Sequence, residues 1–254
     1  MAPTSTIDLP EPWRSTVLTV VLPTYNEASN LPVIVAALFD LPLTGLRILV
    51  VDDNSPDGTG DIAEDLAAQF GTQKMSIVHR PGKAGLGQAY VDGVTHALLD
   101  GADFVVQMDS DLSHDPQYIP QMLGTILATN ADVIIGSRYV TGASVAHDWP
   151  WHRKQLSTLA NGYVRAFLRL GIRDVTAGFK LWRSSALNVI DICDISSQGY
   201  SFQVEMNYIA VSHALKIVEL PIHFVERTAG MSKMSLRVQI ESALMPFKLL
   251  LAKR

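Results

Sequence analysis

Cysteine and charged residues are both scarce in this chain of 254 residues. Cys193 is the single cysteine, which excludes an internal disulfide framework and a metal site built from thiolates. Charged residues make up 18% and hydrophobic residues 48% of the chain, so it can bury a substantial core. The net charge of −5 gives no reason to expect a nucleic acid as partner.

Long hydrophobic runs are also missing. No stretch approaches the roughly 18 apolar residues that a membrane-spanning helix needs, and residues 1–12 hold three prolines without an apolar run. We therefore expect neither a membrane span nor a signal peptide. If the protein acts on a lipid, it must visit the membrane surface or bind a partner that spans the membrane.

Strand and helix patterns alternate in the first half of the chain. Apolar runs predict strands over residues 16–22, 46–51, 75–78, 104–108 and 132–135, and a helical pattern follows each of the first four. Uninterrupted apolar strands that alternate with helices indicate an α/β fold, with a mainly parallel sheet and helices on both faces. In such sheets the binding site lies outside the carboxyl ends of the strands, where the polar clusters of this sequence also fall.

The second half is less regular. The patterns there predict a helix over about 154–170, a strand at 179–182, a helix over 201–215 and two short strands within 216–224. Residues 236–254 read as an amphipathic helix that Pro246 should kink. We therefore divide the chain into a flexible lead-in at 1–15, a main domain at 16–235 and a C-terminal helix at 236–254.

The most informative stretch is DFVVQMDSDLSHDP, residues 103–116, in which a buried strand ends in Asp109-Ser110-Asp111. Alternation along an extended backbone puts the side chains of Asp109 and Asp111 on the same side. Two converging carboxylates repel each other unless a cation lies between them, and Mg²⁺ or Mn²⁺ shared with a phosphate is the natural occupant. The alternative is a polar turn that precedes a helix beginning near Asp115-Pro116.

Glycine is missing from the loop after the first strand, which reads Pro-Thr-Tyr-Asn-Glu over residues 23–27. A dinucleotide-binding Rossmann domain would need three glycines there. Gly85 and Gly87 follow the third strand instead, with Tyr90 where the last glycine would belong, and the surrounding loop is not a Walker A sequence. We therefore expect phosphate to be held by a metal on the two aspartates rather than by a glycine-rich loop.

Polar side chains near the first two strand ends suit a nucleoside. Glu27 and Asp53 are acceptors that can receive the N–H edge of a base, and Tyr25 can pack on its face. The alternative for each of them is ordinary loop polarity and helix capping. Lys83 and Arg80 either neutralise donor phosphate or lie on the surface of their loop.

Basic residues concentrate in the second half, which is out of character for a chain with a negative net charge. Arginine presents a planar fork that matches phosphate oxygens, and lysine adds a point charge. These properties indicate a phosphate site, and the alternative is a solvated basic face. The residues concerned are Arg138, Arg153, Lys154, Arg227 and Lys233.

Seven sequence strings together carry a family resemblance. They are PTYNE, VVDDNSPDGT, GKAGLGQAY, MDSDLSHDP, GSRYV, TAGFKLWR and ERTAGMSK. Their order resembles glycosyltransferase family 2, and more closely its dolichol- or polyprenol-phosphate mannose synthases, over about residues 17–233. The resemblance implies a GT-A fold, with a donor half at about 16–136 and a smaller acceptor half at about 137–235. It also implies GDP-mannose as donor and a polyprenyl or dolichyl phosphate as acceptor.

The resemblance further implies roles for individual residues. The family's metal-binding aspartates match Asp109 and Asp111, and the glutamine that is a third ligand in some relatives is replaced here by Ser113. The adjacent His114 is more typical of a capping or packing residue than of a ligand for a hard cation. The family's nucleoside contacts fall on Pro23, Tyr25, Glu27 and Asp53, to which we add Lys83 for the donor phosphates. Its acceptor-phosphate contacts fall on Arg138, Arg153, Ser157, Arg227 and Lys233.

These assignments predict an inverting, metal-dependent transfer of mannose, with Asp109, Asp111, Arg227 and Lys233 as the catalytic set. A phosphate monoester is already ionised at neutral pH, so no general base is expected. The alternatives are the same reaction with another donor, such as UDP-glucose, or a non-catalytic subunit that binds sugar nucleotides.

The expected location is the cytoplasmic face of a membrane, with peripheral attachment. The predicted helix at 236–254 either lies in the membrane interface or packs on the protein. Some members of the family depend on separate membrane subunits, so a small subunit of that kind is a candidate partner.

Overall fold

The computed structural model describes residues 10–145, 151–195, 197, 199–225, 245–247 and 249, and for 151–157 and 200 it describes only the helical backbone. Within the described part of the chain, no helix is both long and apolar enough to cross a membrane. Most of the predicted helix at 236–254 lies outside the described residues, and so do Arg227 and Lys233.

A seven-stranded sheet forms the centre of the protein, in the order β3-β2-β1-β4-β7-β5-β8. Neighbouring strands run parallel except at β7, which is antiparallel to both β4 and β5. The strands are β1 (Leu18–Thr24), β2 (Leu46–Asp52), β3 (Met75–His79), β4 (Phe104–Gln107), β5 (Val133–Ser137), β6 (Ser144–Val145), β7 (Lys180–Arg183), β8 (Ile217–Pro221) and β9 (His223–Phe224). β6 and β9 form a separate parallel pair.

Helices cover both faces of this sheet. They are α1 (Leu31–Phe39), α2 (Thr59–Phe70), α3 (Leu86–Leu99), α4 (Tyr118–Thr129), α5 (Trp151–Leu168), α6 (Ser184–Ile190) and α7 (Gly199–Ser212). The buried apolar residues form two clusters, one with side chains from α1, α2 and α4, the other with side chains from α3, α5, α6 and α7. Strand β1 serves both, since Val20 and Leu22 belong to one cluster and Val21 to the other, as side-chain alternation requires.

The predicted α/β architecture is confirmed, and the five strands predicted in the first half occur within two residues of their expected bounds. The prediction missed α6 and gave no sign that β7 reverses direction. β7 (Lys-Leu-Trp-Arg) and β4 (Phe-Val-Val-Gln) are both only four residues long, and nothing in such short runs distinguishes a parallel from an antiparallel neighbour. The predicted break at Pro221 is confirmed, because β8 ends there and β9 begins two residues later.

The few described residues near the C-terminus pack on the rest of the protein. Residues 245–247 and 249 are helical, and Met245 and Leu249 are buried in the cluster that contains α5. The ring of Phe247 lies 4.4 Å from that of Phe167 on α5, and 46% of Phe247 remains exposed. The sequence left two alternatives for this segment, the membrane interface or the protein itself. The described residues of the segment pack on the protein.

Candidate active site

The order of the strands in the sheet indicates where the candidate site lies. β1 is followed along the chain by β2, which lies on one side of it, whereas β4 lies on the other side. The loops after β1 and β4 therefore diverge and leave a crevice at their carboxyl ends, the usual binding position in open α/β sheets. Pro23 and Thr24 end β1, residues 25–27 follow it, and Asp109 and Asp111 follow β4. The sequence expectation about the location of the polar clusters thus agrees with the topology.

Three loops at this edge turn through residues with left-handed backbone. Asn26 (φ 62°), Asn54 (φ 57°) and Leu112 (φ 65°) follow β1, β2 and β4. Asparagine tolerates this conformation, but a leucine adopts it rarely. Strained backbone of this kind occurs preferentially at functional sites. Leu112 lies directly after Asp111, so the strain falls where the predicted metal ligands are.

Hydrogen bonds join these loops to one another. The hydroxyl of Ser110 donates to the carbonyl of Pro23 at 2.9 Å, which ties the β4 loop to the end of β1. The amide of Asn26 donates to the Ser55 hydroxyl at 3.1 Å, and the amide of Glu27 to the Thr59 hydroxyl at 2.9 Å. The predicted donor residues therefore lie in one connected set of loops.

Asp57 helps to hold this set together, although the sequence reading did not single it out. Its carboxylate accepts from the amide of Ala28 at 3.1 Å and from the amide of Thr59 at 3.1 Å. Burial raises the pKa of Asp57, but hydrogen bonds from Thr59 and Ala28 outweigh that effect, so its pKa lies below the ordinary value. The Asp-Gly-Thr string at the start of α2 was the available signal, since it is typical of a capped helix.

Asp109 and Asp111 are held by several donors. The amide of Ser113 donates to Asp111 Oδ1 at 3.1 Å, and Asp111 is only 4% exposed. Asp109 is half-buried, and its Oδ1 accepts a hydrogen bond from the hydroxyl of Tyr90 at 3.0 Å. Burial raises the pKa of the Tyr90 phenol well above its ordinary value, and the nearby Asp109 charge raises it further. Tyr90 therefore stays protonated and donates.

His114 acts here as an acceptor and a packing residue. Its Nδ1 accepts from the amide of Asp109 at 3.3 Å. Its ring stacks on Phe179 with centroids 5.1 Å apart and meets Phe224 edge-on at 5.6 Å. This arrangement fits the expectation that His114 caps or packs rather than binds the cation.

The oxygen ligands at this position suit a hard divalent cation. Within the described ranges no group of three or more histidine, cysteine, aspartate or glutamate residues is arranged to hold a metal. Mg²⁺ usually keeps several waters and binds through one or two carboxylates together with substrate phosphates. Asp109 and Asp111 could hold a cation in that way.

The predicted nucleoside residues have defined neighbours. The Lys83 ammonium lies 3.8 Å from the ring centre of Tyr25, so the loop after β3 reaches the loop after β1. Glu27 Oε2 accepts from the Asn30 side chain at 2.7 Å. Pro23 is buried at the end of β1.

Asp53 forms an ion pair with Arg80, and Arg80 Nε also bonds to Asp92 Oδ2 on α3 at 2.7 Å. The side chains of Arg80 and Asp53 are both more than nine-tenths buried. Sequence reading left two roles open for Arg80, donor phosphate or loop surface. The structure instead places it between two carboxylates, because a buried aspartate needs a nearby cation.

On the acceptor side, Arg138 contacts Asp174 and Thr176. Arg153 and Ser157 belong to α5, of which only the backbone is described at these positions. Arg227 and Lys233 lie outside the described residues, so the predicted cluster around the acceptor phosphate stays a prediction.

Lys180 on β7 is a buried cation that sequence reading missed. It is fully buried, and its Nζ donates to the backbone carbonyl of Gln203 at 3.2 Å and to Gln203 Oε1 at 2.9 Å. Burial lowers the pKa of Lys180 to about 7, against the opposing effect of the Asp174 charge. The string TAGFKLWR contains this lysine in an apolar run, which was the available signal for a buried charge.

Comparison with known proteins adds independent information. A family profile described as "Glycosyl transferase family 2" matches residues 19–190. The chain is 44% identical over 216 residues to the polyprenol monophosphomannose synthase of Mycolicibacterium smegmatis, covering 85% of this chain and 80% of that protein. It is 43% identical over 219 residues to the undecaprenyl-phosphate mannosyltransferase of Micrococcus luteus, covering 86% of this chain and 87% of that protein.

Solved structures also resemble this fold. A mannosyltransferase from Pyrobaculum calidifontis, solved with GDP-Man and Mn²⁺, matches with a TM-score of 0.64 at 16% identity, over 96% of this chain and 67% of that one. Glucosyl-3-phosphoglycerate synthase from Mycobacterium tuberculosis, solved with Mn²⁺, uridine diphosphate and phosphoglyceric acid, matches with a TM-score of 0.65 at 18% identity, over 91% and 78%. At these identities the similarity concerns the fold alone.

Proposed function

Since the chain belongs to glycosyl transferase family 2 and has the GT-A fold, we propose that it transfers mannose from GDP-mannose to a polyprenyl phosphate. The product is a polyprenyl β-D-mannosyl phosphate. The observation that carries this proposal is the high identity, over most of both chains, to two enzymes named for this kind of transfer. The carboxylates of Asp109 and Asp111 at the β1/β4 crevice support it chemically.

In this proposal the first half of the chain binds the donor. Asp53 and Glu27 accept hydrogen bonds from the base, and Tyr25 packs on the nucleoside. Lys83, which lies over the Tyr25 ring, is close to the same group and supplies positive charge for the diphosphate. The sheet edge and the hydrogen bonds between loops keep these side chains in place before the donor arrives, which lowers the entropy cost of reaching the reactive arrangement.

Asp109 and Asp111 would hold the divalent cation, Mg²⁺ or Mn²⁺, which when bound neutralises the negative charge that develops on the diphosphate leaving group. The aspartates keep it at the carboxyl end of β4. The half-buried environment of Asp109 and the buried one of Asp111 strengthen electrostatic interactions in comparison with open solvent.

The acceptor phosphate would attack the anomeric carbon of mannose from the face opposite the diphosphate. A new bond forms between that carbon and a phosphate oxygen while the bond to the diphosphate breaks, and GDP leaves with the electron pair. One displacement inverts an α-linked donor into a β-linked product. Because the phosphate is already ionised at neutral pH, the protein needs no general base. Arg138, Arg153, Ser157, Arg227 and Lys233 are proposed to bind this phosphate.

A transfer assay tests the function. Purified protein is incubated with labelled GDP-mannose or UDP-glucose, a polyprenyl phosphate and Mg²⁺ or Mn²⁺, and label is counted in the lipid phase with and without EDTA. We expect label from GDP-mannose alone, and its loss with EDTA. Label from UDP-glucose instead would overturn the proposed donor. No label from either donor, with GDP still bound, would indicate a missing membrane subunit or a non-catalytic protein.

Three variants, two at predicted site residues and one as a control, make the assay specific to the site. Asp109→Asn removes one charge with little change of shape and should reduce turnover by orders of magnitude, roughly a hundredfold or more. Asp115→Asn is the matched control, because Asp115 lies on the same loop and its carboxylate accepts from the amide of Gln117. Arg227→Ala should also reduce turnover by orders of magnitude. Near-normal rates in Asp109→Asn would contradict the proposed mechanism.

We further propose that the protein attaches peripherally to the cytoplasmic face of the membrane, where sugar nucleotides and the lipid acceptor meet. Phe247 is the described apolar residue of the C-terminal segment with substantial exposure, at 46%. In a liposome flotation assay, Phe247→Ser should float less than the unchanged chain. Equal flotation of the two proteins would mean that Phe247 does not contact the membrane.

A further inference from the structure

Tyr90 is a buried polar residue to which the mechanism above gives no part. It lies on α3 and is fully buried in the core cluster of that face. Its ring is nearly parallel to that of Phe202 on α7, at 6° and with centroids 5.8 Å apart. Packing of this kind restricts the ring to one orientation, so the hydroxyl is aimed in a fixed direction.

The hydroxyl points at a single partner. It donates to Asp109 Oδ1 at 3.0 Å. The backbone of Asp109 is held separately, by the hydrogen bond from its amide to His114 Nδ1 at 3.3 Å. Asp109 is thus fixed at two points, the main chain by His114 and one carboxylate oxygen by Tyr90.

Two glycines let α3 come close enough for this contact. A Cβ on Gly87 would lie 2.4 Å from the carbonyl oxygen of Ser197, and one on Gly93 would lie 2.4 Å from Val21 Cγ1 on β1. Real Cβ atoms do not approach so closely, so any side chain at either position would push α3 away. Gly87 meets Ser197 and Phe202 on the α7 side, whereas Gly93 meets Val21 on β1 and Val51 on β2. The two glycines therefore let α3 pack closely between α7 and the sheet, and Tyr90 lies between them on the same helix.

Within the described part of the chain, the hydrogen bond of this carboxylate is made by Oδ1 and not by Oδ2. A Cβ on Gly178 would lie 3.6 Å from Asp109 Oδ2 and 3.8 Å from Oδ1, so glycine leaves this side of the carboxylate uncovered. A carboxylate that receives a hydrogen bond on one oxygen keeps the second oxygen available, and residues that hold ligands in this way affect metal affinity strongly.

We propose that Tyr90 is a positioning residue for the cation site, which orients Asp109 by holding Oδ1 so that Oδ2 remains directed at the cation. This inference rests on the proposed role of Asp109 as a cation ligand. It gives a chemical reason for a tyrosine at the place where a dinucleotide-binding loop would have its last glycine.

Mn²⁺ binding tests the proposal without relying on turnover. Tyr90→Phe removes the hydroxyl and keeps the ring and its packing on Phe202. The signal of free Mn²⁺ in electron paramagnetic resonance gives the Mn²⁺ dissociation constant of the full chain saturated with GDP. We expect Tyr90→Phe to bind Mn²⁺ about tenfold more weakly, while its affinity for GDP in EDTA stays unchanged.

Tyr118→Phe is the matched control. Its hydroxyl also makes one hydrogen bond, accepting from the amide of His223 at 2.9 Å, but it does not touch Asp109. This variant should lose a similar amount of stability and bind Mn²⁺ like the unchanged chain. A merely structural role for Tyr90 predicts equal Mn²⁺ binding in the two variants.

Two results would overturn the inference. One is a Mn²⁺ dissociation constant for Tyr90→Phe within twofold of the unchanged chain. The other is unchanged Mn²⁺ binding in Asp109→Asn, because the carboxylate that Tyr90 orients would then not be a ligand. A wild-type chain that binds Mn²⁺ through Asp109 but transfers no mannose would overturn the proposed function and leave this inference standing.

Discussion

Arg138 and Asp174 form a two-point ion pair beside the candidate acceptor site. Arg138 Nε donates to Asp174 Oδ2 at 2.8 Å and Nη2 to Oδ1 at 2.8 Å. The Asp174 side chain is fully buried and that of Arg138 is 10% exposed. The charge of Arg138 is therefore compensated within the protein. If Arg138 binds the acceptor phosphate, it does so while it is paired with Asp174.

This pair predicts a large effect on stability. Arg138→Ala should lower the free energy of unfolding by roughly 3 kcal/mol, because it leaves the Asp174 carboxylate buried without a counter-charge. Urea denaturation measures the change. In the double variant Arg138→Ala/Asp174→Ala, neither member of the pair is left buried without the other, so part of the loss should be recovered. A loss of under about 0.5 kcal/mol in the single variant would show that solvent replaces the arginine.

The Arg80 ion pair predicts a loss of donor affinity. Arg80→Met removes the cation between Asp53 and Asp92, so Asp53 loses its fixed orientation and is repelled by the other carboxylate. We expect GDP to bind about tenfold more weakly, which corresponds to one hydrogen bond to a charged group. Isothermal titration calorimetry in EDTA measures this affinity without the cation.

Arg47→Met is the control for that experiment. Arg47 donates to the carbonyl of Asp100 at 3.0 Å, and it lies near the amino end of β2, at the opposite edge of the sheet. Its removal should leave GDP binding unchanged. If Arg80→Met also bound GDP with unchanged affinity, Asp53 would not be part of the donor site.

Lys180 predicts a distinctive pH dependence of stability. Its pKa in the folded protein is about 7, below the ordinary 10.5. Between these pH values the unfolded chain binds the proton and the folded chain does not, so the free energy of unfolding rises with pH. The slope is at most about 1.4 kcal/mol per pH unit. Below pH 7 both states carry the proton, and this contribution no longer changes.

Lys180→Met removes the titrating group and should flatten this part of the profile. Relative to the variant, the unchanged chain should gain roughly 2 kcal/mol in unfolding free energy between pH 7 and pH 9, measured by urea denaturation. Any loss from leaving Gln203 without its donor is constant with pH and does not affect the comparison. Lys216→Met, at an exposed lysine, is the control. Parallel profiles for Lys180→Met and the unchanged chain would contradict the lowered pKa.

A substitution at Gly178 should change enzyme activity without lowering the stability of the fold. Gly178→Ala adds a methyl group 3.6 Å from both Asp109 Oδ2 and His114 Cε1, which is an ordinary contact distance. Folding should therefore be unaffected or favoured by under about 1 kcal/mol. The methyl covers the open side of Asp109, so mannosyl transfer should fall about tenfold.

Gly162→Ala on α5 is the corresponding control, since its Cβ would meet nothing within 4 Å. Thermal melting and the transfer assay together compare the two variants. Full activity in Gly178→Ala would mean that the uncovered side of Asp109 is not used.

Much of the fold was predictable because it depends on local periodicity. The apolar runs of β1 to β5 and the helical spacing between them are visible in the sequence, and alternating strands and helices favour a parallel sheet. The cation role of Asp109 and Asp111 was predicted from side-chain alternation along an extended strand and stays a prediction, because β4 ends at Gln107 and the backbone bends at Ser110 and Asp111. The family strings gave the candidate donor residues by resemblance. These features need no knowledge of distant parts of the chain.

The sequence by itself therefore determined the α/β class, the strand-end location of the site and the candidate metal aspartates. Only the tertiary structure decided that β7 enters the sheet antiparallel between β4 and β5, that Tyr90 holds Asp109, and that Arg138 is paired with Asp174. Each of these contacts joins residues far apart in the chain, and each depends on how closely helices and strands pack. Local patterns specify which elements form, whereas partners across the core are chosen by the packing of all the elements together.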